Sequence, residues 1–90
     1  MIEVPPREVL EERATRLAHE DYALKYVLVD ERVKQGITQE DVGHALGWPL
    51  DEVREFEAYW SDPTMSQIRR YALAVNMSVR HVAARESEAK

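Results

Sequence analysis

The chain contains no cysteine, which excludes disulfides and thiolate metal sites. No apolar run approaches the roughly 20 residues a membrane span needs. Only Met1 and Ile2 precede the charge at Glu3, which argues against a secretory signal. The expectation is a soluble, cytoplasmic protein with no membrane partner. Glycine and proline are few, 3 and 4 in 90 residues, and most of them mark boundaries. Positive charge is also short. Twelve Lys and Arg face 17 Asp and Glu, a net charge of −5, which is unusual for a nucleic-acid binder. No strand pattern, internal repeat or low-complexity segment occurs.

The charge deficit is uneven. Residues 49–62 hold five acids (Asp51, Glu52, Glu55, Glu57, Asp62) against Arg54. Residues 63–90 hold five bases (Arg69, Arg70, Arg80, Arg85, Lys90) against Glu86 and Glu88. Any phosphate-binding face should therefore draw on the C-terminal third. Ninety residues suffice for one domain with a modest core, to which oligomerisation would add.

The expected elements are all helical. Pro5 and Pro6 suit a helix start, and Val9, Leu10, Ala14 and Leu17 share one face of a helix over 7–20. A bend is expected at His19–Asp21. A second helix over 22–35 places Tyr22, Tyr26, Val29 and Val33 on its apolar stripe, widened by Leu28, and ends at Gly36. Thr38 caps a third helix over 39–46, with Asp41 completing a weak capping box. Gly47 ends it. Pro49 opens a fourth helix to about Trp60, and Ser61-Asp62-Pro63 form a loop. A fifth runs over 65–75, with Asn76 as its left-handed cap. Ser78 begins a last short helix to Ala84.

The block Gly36-Ile37-Thr38-Gln39-Glu40-Asp41-Val42-Gly43-His44-Ala45-Leu46-Gly47 resembles the Cro/cI-type (XRE) helix-turn-helix family. The likeness continues at Val53, Phe56 and Glu57, then at Asp62-Pro63-Thr64-Met65-Ser66 and Arg69-Arg70-Tyr71-Ala72-Leu73-Ala74. That last block is similar to actinobacterial and phage regulators and to HigA-type antitoxins. The resemblance covers about two thirds of the chain. It implies an all-α, compact five- to six-helix domain of lambda-repressor-like helix-turn-helix type, with an extra N-terminal helix. Residues 1–21 would be that helix, a possible dimer or partner contact. Residues 22–84 would be the helix-turn-helix domain, and 85–90 a frayed tail. Val42, Ala45, Leu46, Val53 and Phe56 would join the helix pair, against a wall of Met65, Ile68, Ala72 and Val75.

The resemblance also implies double-stranded DNA as a partner, read by a homodimer on a two-fold operator. Gln39, Leu50, Asp51 and Arg54 would face bases: Arg54 a guanine, Leu50 a thymine methyl, Asp51 a cytosine N4. Thr38, Ser61, Thr64 and Arg69 would meet phosphate. Where family members usually carry Ser, Thr, Gln, Asn or Arg at the reading positions, this chain carries Pro49, Leu50, Asp51 and Glu55 around Arg54. Acidic groups forfeit the counterion-release contribution that dominates non-specific affinity. The alternative is a protein-interaction module, binding for example a toxin through Trp48, Pro49, Leu50, Glu52 and Glu55, with Trp48 exposed and Trp60 in the core. Glu57 suits a structural hydrogen-bonding role and Tyr71 the core edge. His19, His44 and His81 are widely spaced and share no metal-ligand pattern. No cofactor is implied, and no catalytic constellation assembles from these residues, so an enzyme is not expected.

Overall fold

The structure, a computed structural model, describes residues 4–80 and 83. Four helices make up the described residues: α1 (Arg7–Lys34), α2 (Gln39–Leu46), α3 (Leu50–Glu57) and α4 (Met65–Ala74). The fold is all-α, with no strand among the described residues. The expected bend at His19–Asp21 is absent, so two expected helices are one. No glycine or proline lies between Arg7 and Lys34, and a helix without either has nothing there to interrupt its hydrogen-bond ladder. Twenty-eight residues at 1.5 Å each span about 42 Å. That length accounts for an elongated molecule of 50 × 21 × 21 Å. The expected last helix is also missing as far as it is described, because Ser78–Arg80 are not helical. The rest of that segment, apart from Ala83, and the 85–90 tail lie outside the described residues.

Three helices end in the same way. After α1, Gly36 at φ 74° donates its N–H to the Val33 carbonyl, and the Ile37 N–H reaches back to Arg32. After α2, Gly47 at φ 72° turns the chain and the Trp48 N–H reaches Gly43. After α4, Asn76 at φ 63° does the same, with the Met77 N–H on Ala72. These are Schellman-type ends, in which the residue after the left-handed one turns back onto its own helix. Those residues are Ile37, Trp48 and Met77, and all three pack into or against the core. This geometry corrects the placement of Trp48. The residue is only 8% exposed, because the turn folds its ring inward beside Phe56, with centroids 5.9 Å apart.

The core gathers Leu28 of α1, Val42 of α2, Trp48, Val53 and Phe56 of α3, and Ile68, Tyr71 and Ala72 of α4, closed by Val75. Tyr71 lies at its centre rather than its edge: it is fully buried, and its ring stacks on Phe56 at 4.4 Å. Several expectations are displaced by one helical face. On α1 the inward face carries Leu24, Lys25, Leu28 and Arg32, while Tyr26 and Val33 point to solvent. Met65 and Ala45 are exposed as well. Trp60 is 80% exposed instead of buried. The cause is the early end of α3: Ala58 turns to an extended conformation (ψ 145°), which carries Tyr59 and Trp60 off the helix and away from the core. No helix among the described residues is long and apolar enough to cross a membrane.

Candidate nucleic-acid interface

Two eight-residue helices, α2 and α3, are joined by only three residues, Gly47-Trp48-Pro49. So short a link requires close approach, and Gly43 provides it. A Cβ at Gly43 would stand 2.7 Å from the Trp48 carbonyl oxygen and 3.4 Å from a Val53 methyl. Glycine inside a helix costs about 0.5–1 kcal/mol relative to alanine, so the position is occupied by glycine for space. Gly47 answers a different need, its positive φ, since nothing lies near its missing Cβ.

The start of α2 is capped reciprocally. The Thr38 hydroxyl accepts the Asp41 N–H at 3.0 Å, and the Asp41 carboxylate accepts the Thr38 N–H at 3.0 Å. These bonds hold the Asp41 carboxyl below its ordinary pKa. At α4 the same arrangement pairs Thr64 with Gln67, at 3.1 and 2.8 Å. Both threonines are exposed.

α3 is fixed from inside and open outside. Val53 and Phe56 are buried, Leu50 and Glu52 are half-buried, and Pro49, Asp51, Arg54 and Glu55 are exposed. Its C-terminal end is pinned by Glu57. One carboxylate oxygen accepts from Arg32 Nε at 2.9 Å and from the Tyr71 hydroxyl at 2.6 Å. The other accepts from Arg32 Nη2 at 3.2 Å and from Gln39 Nε2 at 2.9 Å. Arg32 also donates to the Ile37 carbonyl at 2.9 Å. Glu57 thus ties α1, α2, α3 and α4 together, which fulfils its expected hydrogen-bonding role. Burial works to lower the Arg32 pKa, but its bonds to Glu57 and the charge of that carboxylate outweigh it and raise it. The Tyr71 phenol is pushed well above its ordinary value, by burial first and by Glu57 second.

A second polar anchor lies below α3. Lys25 is 3% exposed, and its ammonium donates to the Ala58 carbonyl, to the Ser61 hydroxyl at 2.7 Å and to the Ser61 carbonyl at 3.4 Å. It adds a donor to the Ala58 carbonyl, which also accepts the Ser61 N–H, and one to the Ser61 carbonyl beyond it. Burial lowers its pKa, an effect partly offset by Asp62.

The expected site residues therefore divide. Asp51 and Arg54 lie exposed on α3 with half-buried Leu50 beside them, and Thr38, Thr64 and Arg69 lie on the surface. Gln39 is half-buried and its amide N–H is given to Glu57, which sets the start of α2 beside the end of α3. Ser61 is turned inward: its hydroxyl donates to the Phe56 carbonyl at 2.9 Å and accepts from Lys25. Arg54 is the single base on α3, while Arg69 and Arg70 add two exposed cations on α4. Gly43, Lys25 and Arg32 were not foreseen in the sequence. Gly43 had a legible signal, a glycine inside an otherwise helical run. No group of three or more His, Cys, Asp or Glu suited to a metal occurs among the described residues.

No family model, no curated protein and no solved structure matches this chain.

Proposed function

We propose that this protein is a small DNA-binding transcriptional regulator of phage or antitoxin type that reads a two-fold operator as a homodimer. The observation that carries the reading is the α2–turn–α3 unit. Two short helices meet through a three-residue turn, and the second is held at its inner face and its C-terminal end while its outer face is free. A helix so held can enter a major groove without reorganising, and helix–short turn–helix is the geometry DNA readers use for that purpose. The likeness of residues 36–74 to Cro/cI-type regulators supports the same reading.

In this account Arg54 makes the main base contact, bidentate to a guanine, with Leu50 and Asp51 beside it. Arg69 and the exposed hydroxyls of Thr38 and Thr64 position the phosphates. Gln39 and Ser61 contribute less than their sequence positions imply, because both are committed inside the fold. The test is an Arg54→Ala variant titrated against DNA from upstream of its own coding sequence. Specific affinity should fall by about 1–3 kcal/mol. Unchanged binding would remove Arg54 as the reading residue.

A second reading is favoured by the acidic face of α3. Asp51, Glu52 and Glu55 surround Arg54, and their charge opposes phosphate. Under that reading the domain binds a protein such as a toxin. With Trp48 in the core, its patch reduces to Pro49, Leu50, Glu52 and Glu55, with exposed Trp60 alongside. Changing Asp51, Glu52 and Glu55 together to Lys separates the two: a regulator gains non-specific DNA affinity, whereas an interaction module loses its partner.

A further inference from the structure

The inward face of α1 does not stop where the core stops. Leu24 and Leu28 pack on the core, and nearer the N-terminus, past the exposed Asp21, Leu17, Ala14 and Leu10 take up the same face at spacings of three and four. Nothing covers it there: Leu17 is 51% exposed and Leu10 44%. The stripe opens into a cleft of about 680 Å³ between α1 and the loop after α3, walled by Trp60 and Pro63 and floored by Ile68. Tyr22 and Tyr59 meet edge to face across one end of it, 4.7 Å between centroids. One chain thus presents both an uncovered amphipathic helix and a cleft whose walls mix apolar side chains with His19, Asp21, Lys25 and Asp62.

We propose that these two features complete one another in a second copy of the chain. The N-terminal halves of two α1 helices lie antiparallel, and each fills the other's cleft against Trp60. Two observations point to a second copy. First, residues 7–20 carry Arg7, Arg13 and Arg16 among Glu8, Glu11, Glu12 and Glu20, a mixed-sign surface suited to meeting itself. Second, Leu10, Leu17, Tyr59 and Trp60 are 44%, 51%, 74% and 80% exposed, and covering them completely would remove on the order of 500 Å² per copy. Two copies therefore remove about 1,000 Å², which reaches the threshold for a specific interface. The interface depends on α1 and the Tyr59–Trp60 segment and not on DNA reading.

Sedimentation equilibrium on the full chain tests it without DNA. The wild type should be dimeric at about 100 μM, and a Leu10→Glu/Leu17→Glu variant should dissociate at least about tenfold more readily. Both changed residues are surface residues, and far-ultraviolet circular dichroism confirms that the core is folded. Trp60→Ala should weaken the dimer in the same way. Iodide quenching reads the cleft directly, because Trp48 is buried and Trp60 is the accessible tryptophan. Trp60 should be shielded in the concentrated wild type and quenched on dilution or in the double variant. A wild type that is monomeric at that concentration overturns the proposal, as does a dimer that survives both sets of substitutions. A monomer that still binds its operator would end this inference and leave DNA reading by α3 standing without the homodimer proposed for it. A dimer that binds no DNA would do the reverse.

Discussion

Removing the Glu57 carboxylate should be among the most damaging single changes in the molecule. In Glu57→Ala, Arg32 keeps its bond to Ile37 but loses its counter-charge, and Tyr71 and Gln39 each lose an acceptor. The Arg32 and Glu57 side chains are 13% and 10% exposed, so solvent replaces little of what is lost. Breaking a buried ion pair by removing one partner costs about 3–5 kcal/mol. The residual exposure and the surviving Ile37 bond place this case near the lower end, about 3 kcal/mol. A chain of this size has total stability on the order of 5–13 kcal/mol, so a quarter or more would be lost. Urea unfolding followed by tryptophan fluorescence is the assay. With a slope of about 1–1.5 kcal/mol/M, the midpoint should fall by about 2–3 M. Glu57→Gln, which keeps the shape and one acceptor oxygen, should cost clearly less. A loss below about 1 kcal/mol in Glu57→Ala would refute the view that this carboxylate ties the four helices together.

Three further outcomes follow from the same geometry. Gly43→Ala must push the Trp48 carbonyl away and should destabilise by about 1–3 kcal/mol, read by the same urea titration, although alanine is the better helix former. Lys25→Met removes the side-chain donor to the Ser61 carbonyl and one of the donors to the Ala58 carbonyl, and should cost about 1–3 kcal/mol while loosening the Tyr59–Trp60 segment to proteolysis. Asp41 titrates below its ordinary value of 3.8 in the folded chain, so its contribution is fully present above that pH and is lost as pH falls through the lower folded value. The stability difference between wild type and Asp41→Asn should therefore shrink as the pH drops below about 4, and a constant difference would contradict the cap.

Much of the local structure was legible in the residues. The Thr38–Asp41 box and the turns at Gly36, Gly47 and Asn76 lie where their side-chain chemistry places them, since each follows from a requirement of a single residue. What escaped was set by packing at a distance. The inward face of α1 was misread because two of its members, Lys25 and Arg32, are charged. Their burial makes sense only once the carbonyls after α3 and the Glu57 carboxylate are in place. A hydrophobic-stripe reading favoured Tyr22, Tyr26 and Val33, which are all exposed. The two tryptophans were exchanged for a similar reason: Trp48 is carried inward by the turn after α2, and Trp60 outward by the early end of α3. Of the candidate positions, Asp51 and Arg54, which the family resemblance puts on the outer face of α3, are exposed. The commitments of Gln39 and Ser61 were not legible, because their partners lie 18 residues away in one case and 36 in the other.

The central claim is that α3 reads DNA despite its acidic surroundings. The most direct measurement is binding of the purified protein to DNA from upstream of its own coding sequence, in a salt series with random-sequence competitor. The expected result is binding that survives competitor and falls as salt rises, with a shallow slope because few cations (Arg69, Arg70) face phosphate. No binding even at low salt would contradict it, and would move the search to a protein partner at α3 and Trp60.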